Sequence, residues 1–327
     1  MSRIWCANLL LNIDFSQLMK IALTMGDPAG IGPEITQKAL NQLRPWLIKQ
    51  QVEITYFGDP NLVTWDNIKA IECSKPPKPG VGEQAHAAPI IDAIQKAVAA
   101  CVKGSHDAVV TNPINKSILY GHGFEFPGHT EFLGHLCQCG QPTVMMLTCD
   151  DLSVVPITLH VSLAQAIKDI QNNGSALIKH AIETTATALR QQGIQKPTLA
   201  ISGLNPHAGE GGAMGQEEIE VIIPTIDGFK DRTDLSVIGP MPADTMFDVY
   251  NRKQYDAALA MTHDQALIPI KALAFDQAVN VTLGLPIIRT SPDHGTAYDI
   301  AGQGIARPDS LIAAIKKAVQ LAKAQHK

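Results

Sequence analysis

The chain has few charged residues and no long apolar segment. Of its 327 residues, 17% are Asp, Glu, Lys or Arg, whereas 45% are hydrophobic. This composition predicts a large buried core and excludes a disordered chain. No apolar run approaches the roughly 20 residues of a membrane-spanning helix, so the sequence predicts no membrane insertion. The length predicts about two domains.

The sequence also lacks a basic stretch and an ordered cysteine pattern. The formal net charge is −5, which argues against nucleic acid as a partner. The six cysteines show no framework typical of a secreted domain, and Cys137 and Cys139 without further paired ligands do not indicate a metal site. Reduced cysteines in a cytoplasmic protein are the favoured interpretation.

The first residues lack the features of a secretion signal. Asn8, Asn12 and Asp14 interrupt a short apolar patch, and no small-residue cleavage site follows it. Met19 then leads through Lys20 into a strand-like segment. We therefore expect Met19 to be a natural start, preceded by an extension over residues 1–18.

Short apolar runs alternate with amphipathic segments along the rest of the chain. This alternation predicts an α/β fold with a largely parallel sheet. Helices are expected at Ala87–Val102, Leu163–Ile170, Ala176–Leu189 and Ser310–Ala324, and the last three are expected to be capped by Ser162, Ser175 and Ser310. Strands are expected at Ile21–Met25, Val52–Phe57, Asp107–Thr111, Thr198–Leu204, Val237–Pro240, Ala257–Met261 and Val279–Ile288. A hairpin formed by Thr143–Thr148 and Leu152–Leu159 indicates a second domain inserted within the first.

Four metal-competent side chains share one placement, because each follows a predicted strand. They are His160, His207, Asp244 and His263. Ligands of open α/β sheets bind at the carboxyl ends of the strands. Any one histidine is more often structural, but together the four suit a site for zinc or another first-row metal.

Lys271, Asn280 and Arg289 follow His263 along the chain. A lysine and an arginine near strand ends typically hold phosphate or carboxylate, although solvated surface charges explain them equally well. A metal beside such cations indicates a small, doubly anionic substrate with an oxygen polarised by the ion. Oxidation of that substrate would require a nicotinamide cofactor, because no side chain accepts hydride.

Two further segments admit both a functional and a structural interpretation. His129 and Thr130 stand at a predicted helix start, with Thr130 as the expected cap, and they suit either an anion site or plain capping. The glycine-rich turn Gly26–Glu34 favours a tight strand-to-helix corner, since it matches no phosphate-loop pattern.

Several motifs along the chain resemble the 4-hydroxythreonine-4-phosphate dehydrogenase family. They are GDPAGIGPE (26–34), TNPINK (111–116), PGHTEF (127–132), LNPHAGEGG (204–212), GPMPADT (239–245), MTHDQ (261–265) and RTSPDHGTAYDIAG (289–302). The resemblance runs from about residue 20 to the C-terminus. It implies a two-domain α/β/α sandwich like that of the isocitrate and isopropylmalate dehydrogenases, and residues 294–302 resemble their adenosine-binding turn.

The resemblance also implies the reaction. A secondary hydroxyl of 4-(phosphooxy)-L-threonine is oxidised with NAD or NADP and a divalent metal such as zinc, magnesium or cobalt. The product loses CO₂ to give 3-amino-2-oxopropyl phosphate for pyridoxal phosphate synthesis. The enzyme is expected to be a homodimer with its metal site at the subunit interface.

Residue roles follow from the same resemblance. His160, His207 and His263 are expected to bind the metal, with Asp244 close by, and Lys271 is expected to join these four in catalysis. The residues expected to bind substrate are His129, Thr130, Lys271, Asn280 and Arg289. Those expected to bind the cofactor are His294, Gly295 and Asp299.

The expected domains are a discontinuous cofactor- and substrate-binding domain, residues 19–125 and 260–327, and an inserted domain, residues 126–259, that carries metal ligands and the dimer interface. Two rival functions remain at this stage. One is a related dehydrogenase for erythronate or threonate 4-phosphate. The other is a metal-dependent lyase or hydrolase that uses no nicotinamide.

Overall fold

The computed structural model describes residues 18–126 and 128–326. These residues form two compact units. Unit 1 contains the described part of Met1–Glu125 together with His294–Val319, and unit 2 contains the described parts of Phe126–Asp293 and Gln320–Lys327. The extension expected over residues 1–18 lies, apart from Leu18, outside the described residues.

Unit 1 is built around four parallel strands. They are β1 (Met19–Thr24), β2 (Val52–Gly58), β3 (Ile68–Ala70) and β4 (Ala108–Val110). Their order is β3-β2-β1-β4, and each neighbouring pair is parallel. The helices of this unit are α1 (Gly32–Gln50), α2 (Ala87–Val102), α3 (Lys116–Tyr120) and, as far as Val319, α8 (Asp309–Gln325).

The apolar spacing of α2 explains how unit 1 forms its core. Ile90, Ile94 and Val98 recur at helical intervals and are almost fully buried. The bounds expected for this helix, Ala87–Val102, are confirmed. Strand β1 is likewise buried from Ile21 onward, as expected for a strand covered on both faces.

Unit 2 contains the remaining strands and helices. Its strands are β5 (Val144–Thr148), β6 (Ser153–Pro156), β7 (Thr198–Ser202), β8 (Ser236–Met241), β9 (Ala257–Ala260), β10 (Val279–Leu283) and β11 (Ile288–Pro292). Its helices are α4 (His129–Leu136), α5 (Leu163–Gln191), α6 (Ile223–Asp227) and α7 (His263–Ala274).

The strands of unit 2 follow the order β11-β10-β5-β6-β9-β7-β8. The pairs from β11 to β6 are antiparallel, which confirms the hairpin of β5 and β6. The pairs from β6 to β8 are parallel. The α/β class is therefore confirmed, with parallel and antiparallel parts in this unit.

The single strand expected over Val279–Ile288 is wrong. Residues 284–287 form a turn, with Gly284 at a φ of 82°, and β10 and β11 pair antiparallel on either side of it. A left-handed φ is favourable for glycine and strained for other residues, so Gly284 permits the reversal. Apolar residues on both sides of Gly284 and Pro286 concealed the turn.

Helix α5 is one helix of 29 residues, whereas the sequence predicted two helices separated at Gly174 and Ser175. Gly174 is buried, and a Cβ there would lie 2.9 Å from Val221 Cγ1, so the glycine serves close packing and does not end the helix. Neither α5 nor any other helix in the described ranges is long and apolar enough to cross a membrane.

The predicted caps have different outcomes. Ser162 caps α5 as expected, since its Oγ accepts a hydrogen bond from the Gln165 N–H at 3.2 Å. Thr130 is not the cap of α4, because the helix begins at His129 and Gly128 occupies the capping position. Ser310 lies inside α8, which begins at Asp309.

The return of the chain to unit 1 differs from the expected domain boundary. The sequence predicts this return at residue 260, whereas the two units divide at Asp293 and His294. The physical reason is strand pairing, because β9 lies between β6 and β7, and β10 pairs with β5. The segment from β9 to β11 therefore belongs to unit 2.

Replacing Ser162 by Ala should lower the free energy of unfolding by about 0.5–2 kcal/mol, because α5 loses its cap. Ser175→Ala is the matched control, since Ser175 lies within the helix, where alanine is at least as favourable as serine. Urea unfolding monitored by circular dichroism measures both. Equal losses for the two variants would contradict the capping role.

Candidate active site

One edge of unit 2 collects the four side chains predicted to form a metal site. His160 follows β6, His263 follows β9, His207 follows β7 and Asp244 follows β8. These strands are neighbours in the order β6-β9-β7-β8 and run parallel. Their carboxyl ends therefore lie at the same edge, where ligands of α/β sheets bind.

His160 and His263 are close neighbours at this edge. Beyond the ends of β6 and β9, Thr158 and Met261 remain joined, because the Thr158 Oγ1–H donates to the Met261 carbonyl at 2.8 Å. Each histidine lies two residues beyond this junction. Their ring centroids are 6.0 Å apart with the ring planes inclined at 44°. His160 is exposed and has a left-handed φ of 55°.

The orientation of the His263 ring is set by its neighbour. Nδ1 lies 2.7 Å from Asp264 Oδ1. A carboxylate accepts hydrogen bonds, so this contact places the proton of a neutral imidazole on Nδ1 and leaves the Nε2 lone pair available. Metal-binding histidines commonly have such a carboxylate partner. The donor chemistry of His263 therefore fits a divalent metal.

Gln265 holds the turn on which His263 stands. Thr262 and Gln265 form a capping box at the start of α7. Gln265 Nε2 also donates to the Gly203 carbonyl at 3.0 Å, and Oε1 accepts from Ser202 Oγ at 3.3 Å. Ser202 Oγ in turn accepts from the Met261 N–H at 3.0 Å. This network connects the ends of β9 and β7, and so fixes where their following segments begin.

His207 lies in an unusual turn after β7. Residues 207–211 all have left-handed φ values, from 44° to 80°. Such a conformation costs an L-residue about 1–2 kcal/mol, which applies here to His207, Ala208 and Glu210. The surrounding structure must therefore stabilise the turn. Strained backbone of this kind is frequent at functional sites.

Asp244 is exposed in the turn after β8. This turn is closed by hydrogen bonds from the N–H groups of Thr245 and Met246 to the Pro242 carbonyl. Within residues 18–126 and 128–326, no three His, Cys, Asp or Glu side chains lie close enough to hold a metal ion. The structure thus brings His160 and His263 together, but it does not join His207 or Asp244 to them within one chain.

A second group contains the cationic and amide side chains predicted to bind substrate. Asn280 lies opposite Ser291 in the pairing of β10 with β11. Arg289 Nη1 donates to Thr282 Oγ1 across the same pair at 2.9 Å. Alternate residues of a strand share a face, so Asn280 and Arg289 lie on the same face of this hairpin. The Asn280 Oδ1 atom is buried and accepts no hydrogen bond from the described residues.

Arg289 is a buried cation, with only 2% of its surface exposed. Burial lowers its pKa to about 10, because desolvation disfavours the charged form. The guanidinium is still protonated at neutral pH. A solvated surface arginine, which the sequence alone left equally possible, is therefore wrong.

Lys271 lies in the last turn of α7 and forms an ion pair with Asp293 at 3.1 Å. It is eight residues beyond His263 on the same helix, which corresponds to about 12 Å along the helix axis. The backbone positions that carry His263 and Lys271 are consequently separated along α7, and the lysine side chain extends from the C-terminal one. A ligand that contacts both must carry its metal-binding group and its anionic group on different atoms.

His129 and Thr130 form the start of α4. Both side chains are half-buried. The Thr130 carbonyl accepts a hydrogen bond from Thr143 Oγ1 at 3.3 Å, which attaches α4 to the residue preceding β5. Because neither side chain caps the helix, the capping interpretation of these residues is wrong.

The residues predicted to bind a cofactor lie in unit 1. A Cβ at Gly295 would meet no atom within 4 Å, so its backbone is open to a ligand. His294 Nδ1 lies 3.0 Å from the Gly295 carbonyl, which accepts a hydrogen bond from it. Asp299 is exposed, and its carbonyl accepts from Gln303 Nε2 at 2.6 Å.

This segment is attached to the glycine-rich corner of unit 1. The Ile31 N–H donates to the Thr296 carbonyl at 2.9 Å, and a Cβ at Gly30 would lie 2.8 Å from that oxygen. The Tyr298 hydroxyl donates to Asp27 Oδ2. Burial is the larger cause of a raised pKa of Tyr298, and this hydrogen bond is the next largest. The hydroxyl therefore stays protonated. The corner therefore supports the predicted cofactor turn.

Sequence reasoning missed the residues that hold the predicted ones in place. They are Asp264, Gln265, Glu218, Thr282 and Asp293. Asp264 and Gln265 stand in the motif that contains His263, and spacing from Thr262 to Gln265 is the pattern of a capping box. Glu218 and Thr282 have no such local signal, because no motif connects them to their partners, which are 14 and 7 residues away in the chain.

Comparison with known proteins identifies the family. Residues 21–318 match the family described as "Pyridoxal phosphate biosynthetic protein PdxA". A curated 4-hydroxythreonine-4-phosphate dehydrogenase from Bradyrhizobium diazoefficiens is 44% identical, over 93% of this chain and 97% of its own length.

Solved structures agree with this relationship. The 4-hydroxythreonine-4-phosphate dehydrogenase from Klebsiella pneumoniae is similar at a TM-score of 0.82 and 34% identity, over 93% of this chain and 99% of that one. A terephthalate 1,2-cis-dihydrodiol dehydrogenase from Burkholderia xenovorans has a TM-score of 0.64 and 28% identity, over 92% and 98%. The resemblance seen in the motifs is confirmed: the chain is an oxidoreductase that belongs to the PdxA family of pyridoxal phosphate biosynthetic proteins.

Proposed function

We propose that this chain oxidises 4-(phosphooxy)-L-threonine with NAD or NADP in the presence of a divalent metal. The carbon bearing the secondary hydroxyl transfers a hydride to the nicotinamide, and the hydroxyl loses a proton. The resulting β-keto acid releases CO₂ and gives 3-amino-2-oxopropyl phosphate, which feeds pyridoxal phosphate synthesis. Membership of the PdxA family and the names of its relatives support this reaction.

The observation that carries the proposal is the arrangement of unit 2. A histidine pair, with one ring oriented by a carboxylate, lies at the strand edge. Anion-binding groups follow at the far end of α7 and on the β10–β11 hairpin. A substrate with a hydroxyl for the metal and an anionic group farther along its carbon chain fits this arrangement.

His160, His207 and His263 would hold the metal, with Asp244 beside them. Bound there, a zinc, magnesium or cobalt ion supplies Lewis acidity that lowers the pKa of the substrate hydroxyl. Asp264 keeps the proton of His263 on Nδ1, so that Nε2 faces the site as a donor. The residues present therefore fit such an ion.

The remaining polar side chains orient the substrate. Arg289 presents a buried, preorganised guanidinium for an anionic group. Asn280 Oδ1 has an acceptor position free for a donor such as the substrate amine. Lys271, which forms an ion pair with Asp293, binds the same anionic group of the substrate as Arg289 through its protonated Nζ. His129 and Thr130, at the start of α4, add donors for the phosphate.

The nicotinamide cofactor binds to unit 1 in this proposal. His294, Gly295 and Asp299 contact its adenosine part, and the open backbone at Gly295 permits close approach. The attachments of this segment to Gly30, Ile31 and the Asp27–Tyr298 pair give the turn a defined shape. A preorganised turn loses less conformational freedom when the cofactor binds.

The functional form is a homodimer in the cytoplasm, with the metal site completed at the subunit interface. The metal-binding set is incomplete within the described residues of one chain. Exposed apolar side chains follow two of the predicted metal ligands in the sequence. They are Val161, Leu163 and Ile167 after His160, and Met214 and Ile219 after His207. Apolar surface of this kind is typical of subunit interfaces.

Turnover should be highest with 4-(phosphooxy)-L-threonine, because Asn280 Oδ1 accepts a stronger hydrogen bond from its charged ammonium group than from the hydroxyl of erythronate or threonate 4-phosphate. Steady-state NADH or NADPH formation with zinc, magnesium or cobalt, compared with erythronate and threonate 4-phosphate, measures this preference. A higher kcat/KM for erythronate phosphate would overturn the substrate assignment. Failure to bind either nicotinamide in equilibrium titrations with metal would instead favour a lyase or hydrolase.

Complementation between subunits tests the shared metal site. His160→Ala and His207→Ala proteins should each be inactive, whereas their co-expressed mixture should regain about a quarter of wild-type activity. This fraction follows because random pairing makes half of the dimers mixed, and each mixed dimer has one complete site. Activity per dimer is measured in the unseparated mixture, and mixed dimers isolated with two affinity tags should show about half of the wild-type value.

The matched control for complementation is His160→Ala mixed with His263→Ala. These two rings are neighbours in one chain, so every mixed dimer still lacks a ligand in both sites. We expect no rescue in this mixture. Equal absence of rescue in both mixtures would contradict a site shared between subunits.

Replacing Arg289 by Met should weaken substrate binding by about 1.5–3 kcal/mol, since a charged hydrogen bond is lost. That corresponds to a rise in the KM for the phosphorylated substrate of about 10- to 150-fold. Arg307→Met is the control, because Arg307 is 66% exposed in its pair with Asp309. An unchanged KM and kcat in the Arg289 variant would remove it from the site.

A further inference from the structure

Glu218 is a buried carboxylate that accepts hydrogen bonds from two backbone N–H groups and one side-chain amide. Only 1% of its surface is exposed. It forms no ion pair with any residue in the described part of the chain. Burial of a charge is unfavourable unless hydrogen bonds compensate it. Here Oε1 accepts from the N–H groups of Leu204 and Asn205, both at 2.8 Å, and Oε2 accepts from Asn205 Nδ2 at 2.9 Å.

All of these donors belong to the segment that leads into His207. The preceding residue, Gly203, donates its N–H to the Met241 carbonyl at 2.8 Å and so remains attached to the end of β8. Beyond Asn205 the chain enters the left-handed run of residues 207–211. Glu218 therefore holds Leu204 and Asn205, which are separated from the left-handed run by Pro206 alone.

The carboxylate also fills the inner side of this turn. A Cβ at Gly203 would lie 3.1 Å from Oε1, and a Cβ at Gly209 would lie 2.7 Å from Oε2. Glycine at these two positions permits the close approach of the carboxylate. The contact thus spans both sides of His207, from residue 203 to residue 209.

We propose that Glu218 is a positioning residue for His207. Its charge fixes the path of the backbone through hydrogen bonds to main-chain groups, and thereby compensates for the left-handed conformation that directs His207 out of the sheet edge. Without the carboxylate the turn relaxes and His207 leaves its place. This inference rests on the proposed function, because it takes His207 as a metal ligand.

The test is the zinc affinity of the full-length protein, measured with zinc chloride against a competing chelator. Glu218→Gln keeps the shape of the side chain but removes its charge and replaces one acceptor oxygen by a donor. We expect zinc affinity to fall by about 10- to 100-fold, as for other residues that orient metal ligands. Glu220→Gln, the same change at an exposed position of the same segment, should leave the affinity unchanged.

A double variant separates positioning from general damage. In His207→Ala protein the residual zinc affinity comes from the other ligands, so adding Glu218→Gln should change it no further. A further loss in the double variant would show that Glu218 acts on the fold as a whole, and would overturn the proposal. Wild-type affinity in Glu218→Gln protein would overturn it as well.

The zinc affinities also distinguish failure of the Glu218 inference from failure of the proposed metal site. If wild-type and His207→Ala proteins bind zinc equally, the metal-binding set is wrong and the inference falls with it. If His207→Ala weakens binding and Glu218→Gln does not, only the inference fails. Should Glu218→Gln not fold by circular dichroism, Gly209→Ala takes its place, because its Cβ displaces the carboxylate from the loop side. The same loss of zinc affinity is expected, and wild-type affinity in that variant would overturn the proposal.

Discussion

The parallel alignment of β6, β9, β7 and β8 is the constraint on which the site depends. Parallel strands place their carboxyl ends at one edge of the sheet. The segments that follow these four strands therefore start side by side, although they are far apart in the sequence. The histidines after β6 and β9 are neighbours because both stand two residues beyond the last hydrogen-bonded pair of those strands. A shift of this register by one residue would turn each side chain to the other face.

Buried and half-buried polar groups then fix the positions of the segments that follow these strands. Gln265 joins the ends of β7 and β9, and Glu218 holds the turn that carries His207. On the β10–β11 hairpin, Arg289 is kept inside the protein with Thr282 as a hydrogen-bond partner. Each of these groups is costly to bury without partners, and their hydrogen bonds offset that cost while fixing the geometry. The same interactions that satisfy the fold therefore also orient the predicted ligands.

The local sequence pattern was sufficient to predict the structure where one helix or strand buries apolar residues at regular spacing. The bounds of α2 are those expected from its apolar spacing, and the cap at Ser162 follows from its chemistry. The pattern failed where glycine had a packing role, as at Gly174 in α5, and where a turn was itself apolar, as between β10 and β11. At Gly174 the deciding contact is with Val221, far away in the chain, whereas at Gly284 it is the left-handed φ of the glycine itself.

The sequence by itself determined the α/β class, the family and the identity of the candidate ligands, because these depend on residue types and short motifs. Only the tertiary structure decided which of those residues meet. It brings His160 beside His263, leaves His207 and Asp244 outside that pair within the described chain, and buries Arg289. It also assigns the segment from β9 to β11 to unit 2. The physical reason is that strand order, register and burial arise from pairing across the whole chain, which no local stretch of sequence records.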